Sequence, residues 1–156
     1  MLHIGLISKN KNIELIRELS LYEDVQAFNI KEEEDFKNNK IDILVLEDLI
    51  ISKDILENQI NDIKYLIIQD NISDIQFNLD KEINIITFGF NHKSTVTVSS
   101  VTEENIVICI QRMIKTINNN EIQPQEKIIK NTNKYNINKY IIKKIIEETL
   151  EKWVKK

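Results

Sequence analysis

Carboxylates, two histidines, lysines and one cysteine are the side chains here that could do chemistry, and their spacing limits what that chemistry is. Two apolar runs end in acids: IDILVL is followed by Glu47 and Asp48, and KYLIIQ by Asp70. In a parallel sheet such residues emerge along one edge, where ligands bind and where a metal or phosphorylation site can be built. Asn91, His92 and Lys93 follow a Gly-Phe corner at the end of a third apolar run, the same kind of strand-end position. Asp48, Asp70, Asn91, His92 and Lys93 are therefore the candidate ligand-binding residues. No catalytic or metal-ligating set can be written. His3 and His92 are far apart and Cys109 lies in an apolar segment, so a Cys-His nucleophilic pair has no support from spacing. The plainer reading makes Cys109 a small core residue and 91–93 an exposed polar turn.

Phosphate-binding loops need glycines, because backbone N–H groups must come close to the anion. Gly5 and Gly89 are the only two glycines, so neither the nucleotide P-loop nor the dinucleotide fingerprint can be placed anywhere. ATP or NAD held by either loop is excluded, and no cofactor is expected.

The elements that position these residues come next. A chain of 156 residues with 42% hydrophobic and 29% charged residues is in the globular range and long enough to close a core. One α/β domain over 1–156 is expected, with a core at 1–93, antiparallel strands at 94–130, and a linker and helix at 131–156. The net charge of -4 gives no attraction to a phosphate backbone, so nucleic acid is not a favoured partner. A single cysteine rules out an intrachain disulfide and fits a reducing compartment. No signal-peptide pattern opens the chain, and no apolar run nears the ~18 residues of a membrane span, so a soluble cytoplasmic protein is expected.

Apolar runs at Leu2 to Ser8, Val25 to Ile30, Ile41 to Glu47, Ile63 to Gln69 and Ile83 to Phe88 read as strands. The run at 41–47 is continuous enough for a buried parallel strand. Helical spacing over Asn12 to Leu21, Glu32 to Asn39 and Ser52 to Gln59 fills the gaps, with Asn10 or Asn12 as a cap for the first helix. The pattern is Rossmann-like: a mostly parallel sheet with crossover helices. The stretch from Asn71 to Lys81 is short for a last crossover helix.

Beyond Gly89 the period changes to two. Val96 and Val98 face one way, and Thr95, Thr97 and Ser99 the other, as in a half-buried strand. Ile106 to Ile117 fits a helical face, but its β-branched residues favour a hairpin turning at Thr102 to Asn105. Asn118 to Asn120 then forms a second turn and Glu121 to Ile129 an edge strand, which suits Pro124. Asn136 caps a helix from Ile137 to about Val154 with an apolar stripe of Ile142, Ile145, Ile146, Leu150 and Trp153. An antiparallel strand meander and a C-terminal helix thus follow the parallel part.

Two stretches resemble known families. IDILVLEDL looks like the central strand of a response-regulator receiver domain, whose phosphate-accepting aspartate stands five residues after the strand's opening aspartate. Counting from Asp42, that position is Glu47, and Ile7, Ser8, Lys9 and Asn10 replace the family's acidic pair. This resemblance implies a receiver-like regulator without phosphorelay. ITFGFNHKSTVTVSSV is similar to a segment of the central domain of Mur ligases, the ATP-dependent amino-acid ligases of peptidoglycan synthesis. There a strand runs into a Tyr-Gly-Phe or similar turn, a variable triplet and an alternating strand, matched here by Ile86, Thr87, Phe88, Gly89, Phe90, Ser94 and Val96. Ile67 to Asn71 stands where that family has an apolar strand ending in an Asn/Asp cluster. Ile106 to Ile129 and Asn133 to Trp153 resemble its later strands and helix. The likeness spans roughly the last 90 residues. Residues 1 to 62 hold no ATP loop, and the catalytic lysine and metal-binding glutamate of that family have no counterpart.

The resemblance implies a Mur ligase-like fold without ligase activity, a pseudoenzyme. The expected function is a non-catalytic module binding a protein or a small molecule. The alternative is a small enzyme or nucleotide-binding protein using the strand-end edge. The sequence is silent on self-association, which leaves a homo-oligomer open.

Overall fold

Isoleucine, leucine and valine dominate the strands at 43–46 and 65–69 because those strands are covered on both faces, and the computed structural model shows the result. It describes residues 1–10, 12–72, 76–77, 82–133 and 136–152. Packing divides the chain into two units, Met1–Ile85 and Ile86–Lys156.

The first unit runs β1 (Leu2–Ile7), α1 (Ile13–Leu19), β2 (Val25–Asn29), α2 (Glu33–Asn38), β3 (Ile43–Leu46), α3 (Lys53–Gln59) and β4 (Tyr65–Gln69). All its strand pairs are parallel, in the order β4-β3-β1-β2. Every residue of β3 is buried, as the unbroken apolar run predicts. Phe36 of α2 and Leu56 of α3 share one core cluster with Leu44, Leu46, Leu66 and Ile68. Leu15 and Leu19 are the buried residues of α1.

Helix starts are set by side chains that accept otherwise orphaned N–H groups. Before α2, the Asp35 carboxylate accepts from Lys31 N at 2.7 Å and Glu32 N at 3.1 Å. Ser52 Oγ accepts from Ile55 N at 3.4 Å to open α3. Asn12 does occupy the N-cap position of α1, but it makes no side-chain cap bond there. Its amide instead donates to Asn29 Oδ1 at 3.1 Å, tying α1 to the end of β2. Most of the expected short connection between Asn71 and Lys81 lies outside the described residues.

β5 (Asn84–Gly89) spans the boundary between the units; its first residue donates from the backbone to Lys64 O at 3.2 Å. In the second unit β5 pairs parallel with β6 (Val96–Val101) at Phe88↔Val96 and Gly89↔Thr97. Thr87 and Thr95 lock the head of that pair, each hydroxyl accepting from the other's backbone N–H, at 3.3 and 2.9 Å. Gly89 sits at φ 143, a backbone region open to glycine and strained for other residues.

β7 (Asn105–Ile110) pairs antiparallel with β6, so the hairpin reading holds and the helical one for 106–117 does not. Thr102 explains the choice: its Oγ1 accepts from Asn105 N at 2.9 Å while its own N–H donates to Asn105 O at 2.8 Å. This hairpin stands where a receiver-like chain would continue its strand-helix alternation, and it argues against that alternative. The simple two-faced reading of β6 needs correction, because Thr95 and Thr97 are buried along with Val96. A register shift between Val98 and Ser100 breaks the alternation, and Ser99 to Val101 end exposed.

Pro124 divides the expected edge strand in two. β8 (Ile114–Lys115) pairs with β9 (Glu121–Ile122), and β10 (Gln125–Lys130) pairs antiparallel with β7. Lacking an N–H, Pro124 fits the gap between two ladders better than either ladder. α4 (Ile137–Thr149) follows, with Asn136 Oδ1 accepting from Lys139 N at 3.1 Å as its cap. It packs against β6 and buries Ile142, Ile145, Ile146 and, just past its end, Leu150. Trp153 lies outside the described residues. The chain is thus α/β, parallel at first, then antiparallel, with a C-terminal helix.

α4 stops earlier than the apolar stripe predicts because Glu151 takes a left-handed conformation, φ 58. Glu151 N donates to Glu148 O and Lys152 N to Glu147 O, the paired bonds that terminate a helix through a left-handed residue. Glycine is usual at that position; here a carboxylate is held there instead. Its oxygens accept from the side-chain amides of Asn118 and Asn120 and, at 2.9 Å, from Thr116 Oγ1. The bond from Asn120, then that from Asn118, with a smaller part from Thr116, keep the Glu151 carboxyl below its ordinary 4.5 against the opposing pull of desolvation. A carboxylate with a lowered folded-state pKa stabilises fully above its unfolded value and loses that contribution as pH falls through the folded one. Thermal melts of Glu151→Gln against the parent are therefore expected to differ at pH 7 and to converge as the pH drops below 4.5. An unchanged gap at pH 3 would mean that the charge is not what holds the turn.

Candidate functional site at the carboxyl ends of the parallel strands

Strand order in the first unit reverses at β1: the chain steps from β1 to β2 on one side, then to β3 on the other. Loops at the carboxyl ends of two such strands diverge and leave a crevice, the usual ligand position in open α/β sheets. The residues there are Ser8 to Asn10 after β1, and Glu47 with Asp48 after β3.

Asp48 does not stand open in that crevice. Its Oδ2 accepts from Lys9 N at 2.7 Å and lies 3.4 Å from Ser8 Oγ. Ser8 Oγ in turn accepts from Asn10 N at 3.2 Å. A carboxylate from one loop thus organises the backbone of the other, and a charge-assisted bond of this kind is stronger than a neutral one. Glu47, the position matching the receiver acceptor, is 6% exposed, and its backbone N–H donates to Ile7 O at 2.9 Å. Asp70 begins a single 3-10 turn, Asp70–Ile72, directly after β4, the neighbour of β3. Asp48 and Asp70 therefore share the carboxyl end of one parallel sheet, as their spacing predicts.

Asn91, His92 and Lys93 belong to the second unit, where they form one tight turn. Asn91 Oδ1 accepts from Lys93 N at 2.9 Å, and Asn91 O from Ser94 N at 3.0 Å. All three residues are exposed. Gln111, just past the end of β7, fixes the turn, its Nε2 donating to His92 O at 2.9 Å and to Ser94 O at 2.7 Å. The backbone here is rigidly held and the His92 and Lys93 side chains face solvent.

His3 lies at the amino end of β1, away from the Asp48 edge, and its Nδ1 is 3.5 Å from Asp42 Oδ2. Cys109, half-buried on β7, pairs in register with Thr97 and Glu126. Among the described residues no three His, Cys, Asp or Glu side chains gather as metal ligands. None of the described helices is long and apolar enough to cross a membrane.

Ser8, Lys9 and Gln111 are the contributors that sequence reading passed over. Ser-Lys-Asn after β1 registers there as the end of a strand, a candidate helix cap at Asn10 and the absence of an acidic pair. Its role depends on Asp48, about 40 positions away, and no local pattern carries that pairing. Comparison with known protein families and with curated proteins finds no match to this chain.

Proposed function

We propose that this chain is a non-catalytic cytoplasmic binding module, Rossmann-like in its first unit with α1 to α3 as crossover helices and related in fold to the Mur ligase central domain. Its ligand, a small molecule or a segment of a partner protein, binds at the carboxyl ends of β1 and β3. The observation that carries this reading is the Asp48 carboxylate bonded to Lys9 N. In phosphate-binding α/β proteins the first strand-end loop offers backbone N–H groups to an anion. Here an internal anion already takes the Lys9 N–H, and its charge opposes a phosphate beside it. The edge suits a neutral or cationic group.

A thermal-shift panel of nucleotides, divalent cations and peptidoglycan precursors, read with amide NMR shifts, tests this. ATP, ADP and NAD are expected to leave the melting temperature unchanged, and a responding compound to perturb amides at 8–10 and 47–48. Asp48→Ala should lower stability by about 1.5 kcal/mol through the lost charge-assisted bond, and should scatter the amide shifts of 8–10. A saturable rise with a nucleotide would replace the binding-module reading with the enzyme alternative.

A further inference from the structure

Among the described residues, β10 is the last strand of its sheet, with β7 as its one neighbour. The hydrogen-bonding direction along it can be read from the ends of the ladder. Asn131 N donates to Glu104 O across the β7–β10 pair, and Gln111 N donates to Thr95 O across the β6–β7 pair, both at 2.8 Å. Backbone direction alternates along a strand, so the odd residues of β10 bond to β7. The N–H and C=O groups of Glu126, Ile128 and Lys130 therefore point to the outer edge, where no described strand meets them.

Side chains alternate with the same period, so these three also share one face. It is the solvent face: all three are exposed, and Ile128 is 72% exposed. The opposite face carries Lys127, whose Nζ is 3.5 Å from Glu148 Oε1 on α4. Edge strands are commonly guarded by a lysine on the exposed edge or by a proline within the strand. Here Lys127 is turned inward to α4 and Pro124 lies outside the strand; Lys130 does stand on the exposed edge, but Glu126 shares its face and brings the opposite charge against it when a second copy approaches.

We infer that β10 is a self-association edge, on which a second copy of this chain adds its own β10 antiparallel about a two-fold axis at Ile128. In that register Ile128 faces Ile128 of the other copy, and Glu126 of each copy faces Lys130 of the other. The three facing pairs are the three whose backbone groups are open, so each exchanges two hydrogen bonds. Other two-fold centres fit worse. Centring on Glu126, Lys127 or Lys130 sets like charges against each other, and centring on Ile129 puts Ile128 against Lys130 and leaves Glu126 without its partner. Self-complementarity in this register is what identifies the occupant as a second copy (an isologous contact) rather than a foreign strand.

Sedimentation equilibrium of the whole chain across a concentration series tests the inference. The parent is expected to dimerise. Glu126→Lys and Lys130→Glu each create two like-charge contacts by symmetry and should raise the dimer dissociation constant about tenfold. The double substitution exchanges the two charges and should restore the parent value, which no fold-level role for these residues would do. Ile128→Pro removes an N–H that the β7 ladder does not use, so it should abolish the dimer while leaving circular dichroism, and melting at concentrations where the parent is monomeric, unchanged. If Ile128→Pro disturbs the fold, the charge-exchange series decides. A parent that is monomeric throughout, a dimer indifferent to the single reversals, or a double variant without recovery would each overturn it.

Discussion

Gly5→Val is expected to destabilise the first unit by about 3 kcal/mol, and Gly5→Ala by roughly half of that. Gly5 lies mid-strand in β1, opposite Phe28 on one side and Leu44 on the other. A Cβ there would lie 2.4 Å from Ile30 Cδ1, 3.2 Å from Ile30 Cγ1 and 3.4 Å from Ile41 Cδ1. The first distance is far inside contact, so something must move. Ile30 offers the end of a side chain, but it is 1% exposed and held in the cluster with Ile7, Phe36 and Ile41. Its displacement would force an off-rotamer side chain or a backbone shift, the usual cost of overpacking. Ile30→Val removes the Cδ1 atom, so the pair of changes should not add. Ile30→Val alone should cost about 1 kcal/mol as a deleted methyl. Gly5→Ala with Ile30→Val should cost clearly less than the two singles summed, measured by urea unfolding. Strict additivity would show that the close approach of Ile30 is not what keeps position 5 bare.

That role of Gly5 is invisible in the sequence, where the glycine reads only as too little material for a phosphate loop. What the sequence does reveal follows a general division between local and distant causes. β3 is legible because a short, unbroken run of β-branched and leucine residues is the usual mark of a strand covered on both faces. The β6–β7 hairpin is legible because Thr102 and Asn105 are three residues apart and the flanking residues are β-branched. The Asn136 cap is legible because the side chain and its Lys139 N partner are neighbours. By contrast, α4 ends where it does because Glu151 meets Asn118 and Asn120 more than 30 positions earlier. The bulge between Val98 and Ser100 and the split at Pro124 depend on which strand lies alongside, and periodicity within one strand cannot encode that.

The same division governs the candidate site. Placing Asp48 and Asp70 at strand ends needs only the apolar runs before them. Knowing that Asp48 is occupied by Lys9 N needs the order in which β1 and β3 come together. The turn at Asn91 to Lys93 is legible from its Asn and its neighbouring glycine. The Gln111 amide that holds it is not, since a glutamine just past a strand end, some 17 to 19 positions from its partners, carries no positional signal. A reader of the sequence therefore finds the edges where ligands bind and misses which polar groups are still open to a ligand.

Asp42→Ala is expected to cost about 3 kcal/mol, with the loss concentrated at the amino ends of β1 and β3. Asp42 is 2% exposed, and its Oδ2 accepts from His3 N at 2.8 Å. The same oxygen is 3.5 Å from His3 Nδ1, and Oδ1 is 3.8 Å from Lys40 Nζ. The backbone of Asp42 does further work: its N–H donates to His3 O at 2.8 Å and its carbonyl accepts from Lys64 N at 2.7 Å. Alanine keeps those two bonds and removes only the side-chain acceptor, leaving the His3 N–H without its partner. Asparagine retains an acceptor oxygen at the same place and gives up the charge, so Asp42→Asn should cost about 1 kcal/mol. Amide exchange separates the causes. In Asp42→Ala the His3 amide should lose protection while Lys64 keeps it relative to the rest of the unit, because only the former bond is made by the side chain. Equal costs for Asn and Ala would instead assign the stabilisation to the carboxylate charge, which Lys40 faces. Parent-like stability in both variants would remove Asp42 as the tie between the two strands, and with it the assignment of His3 to a structural role at the end of the sheet opposite Asp48.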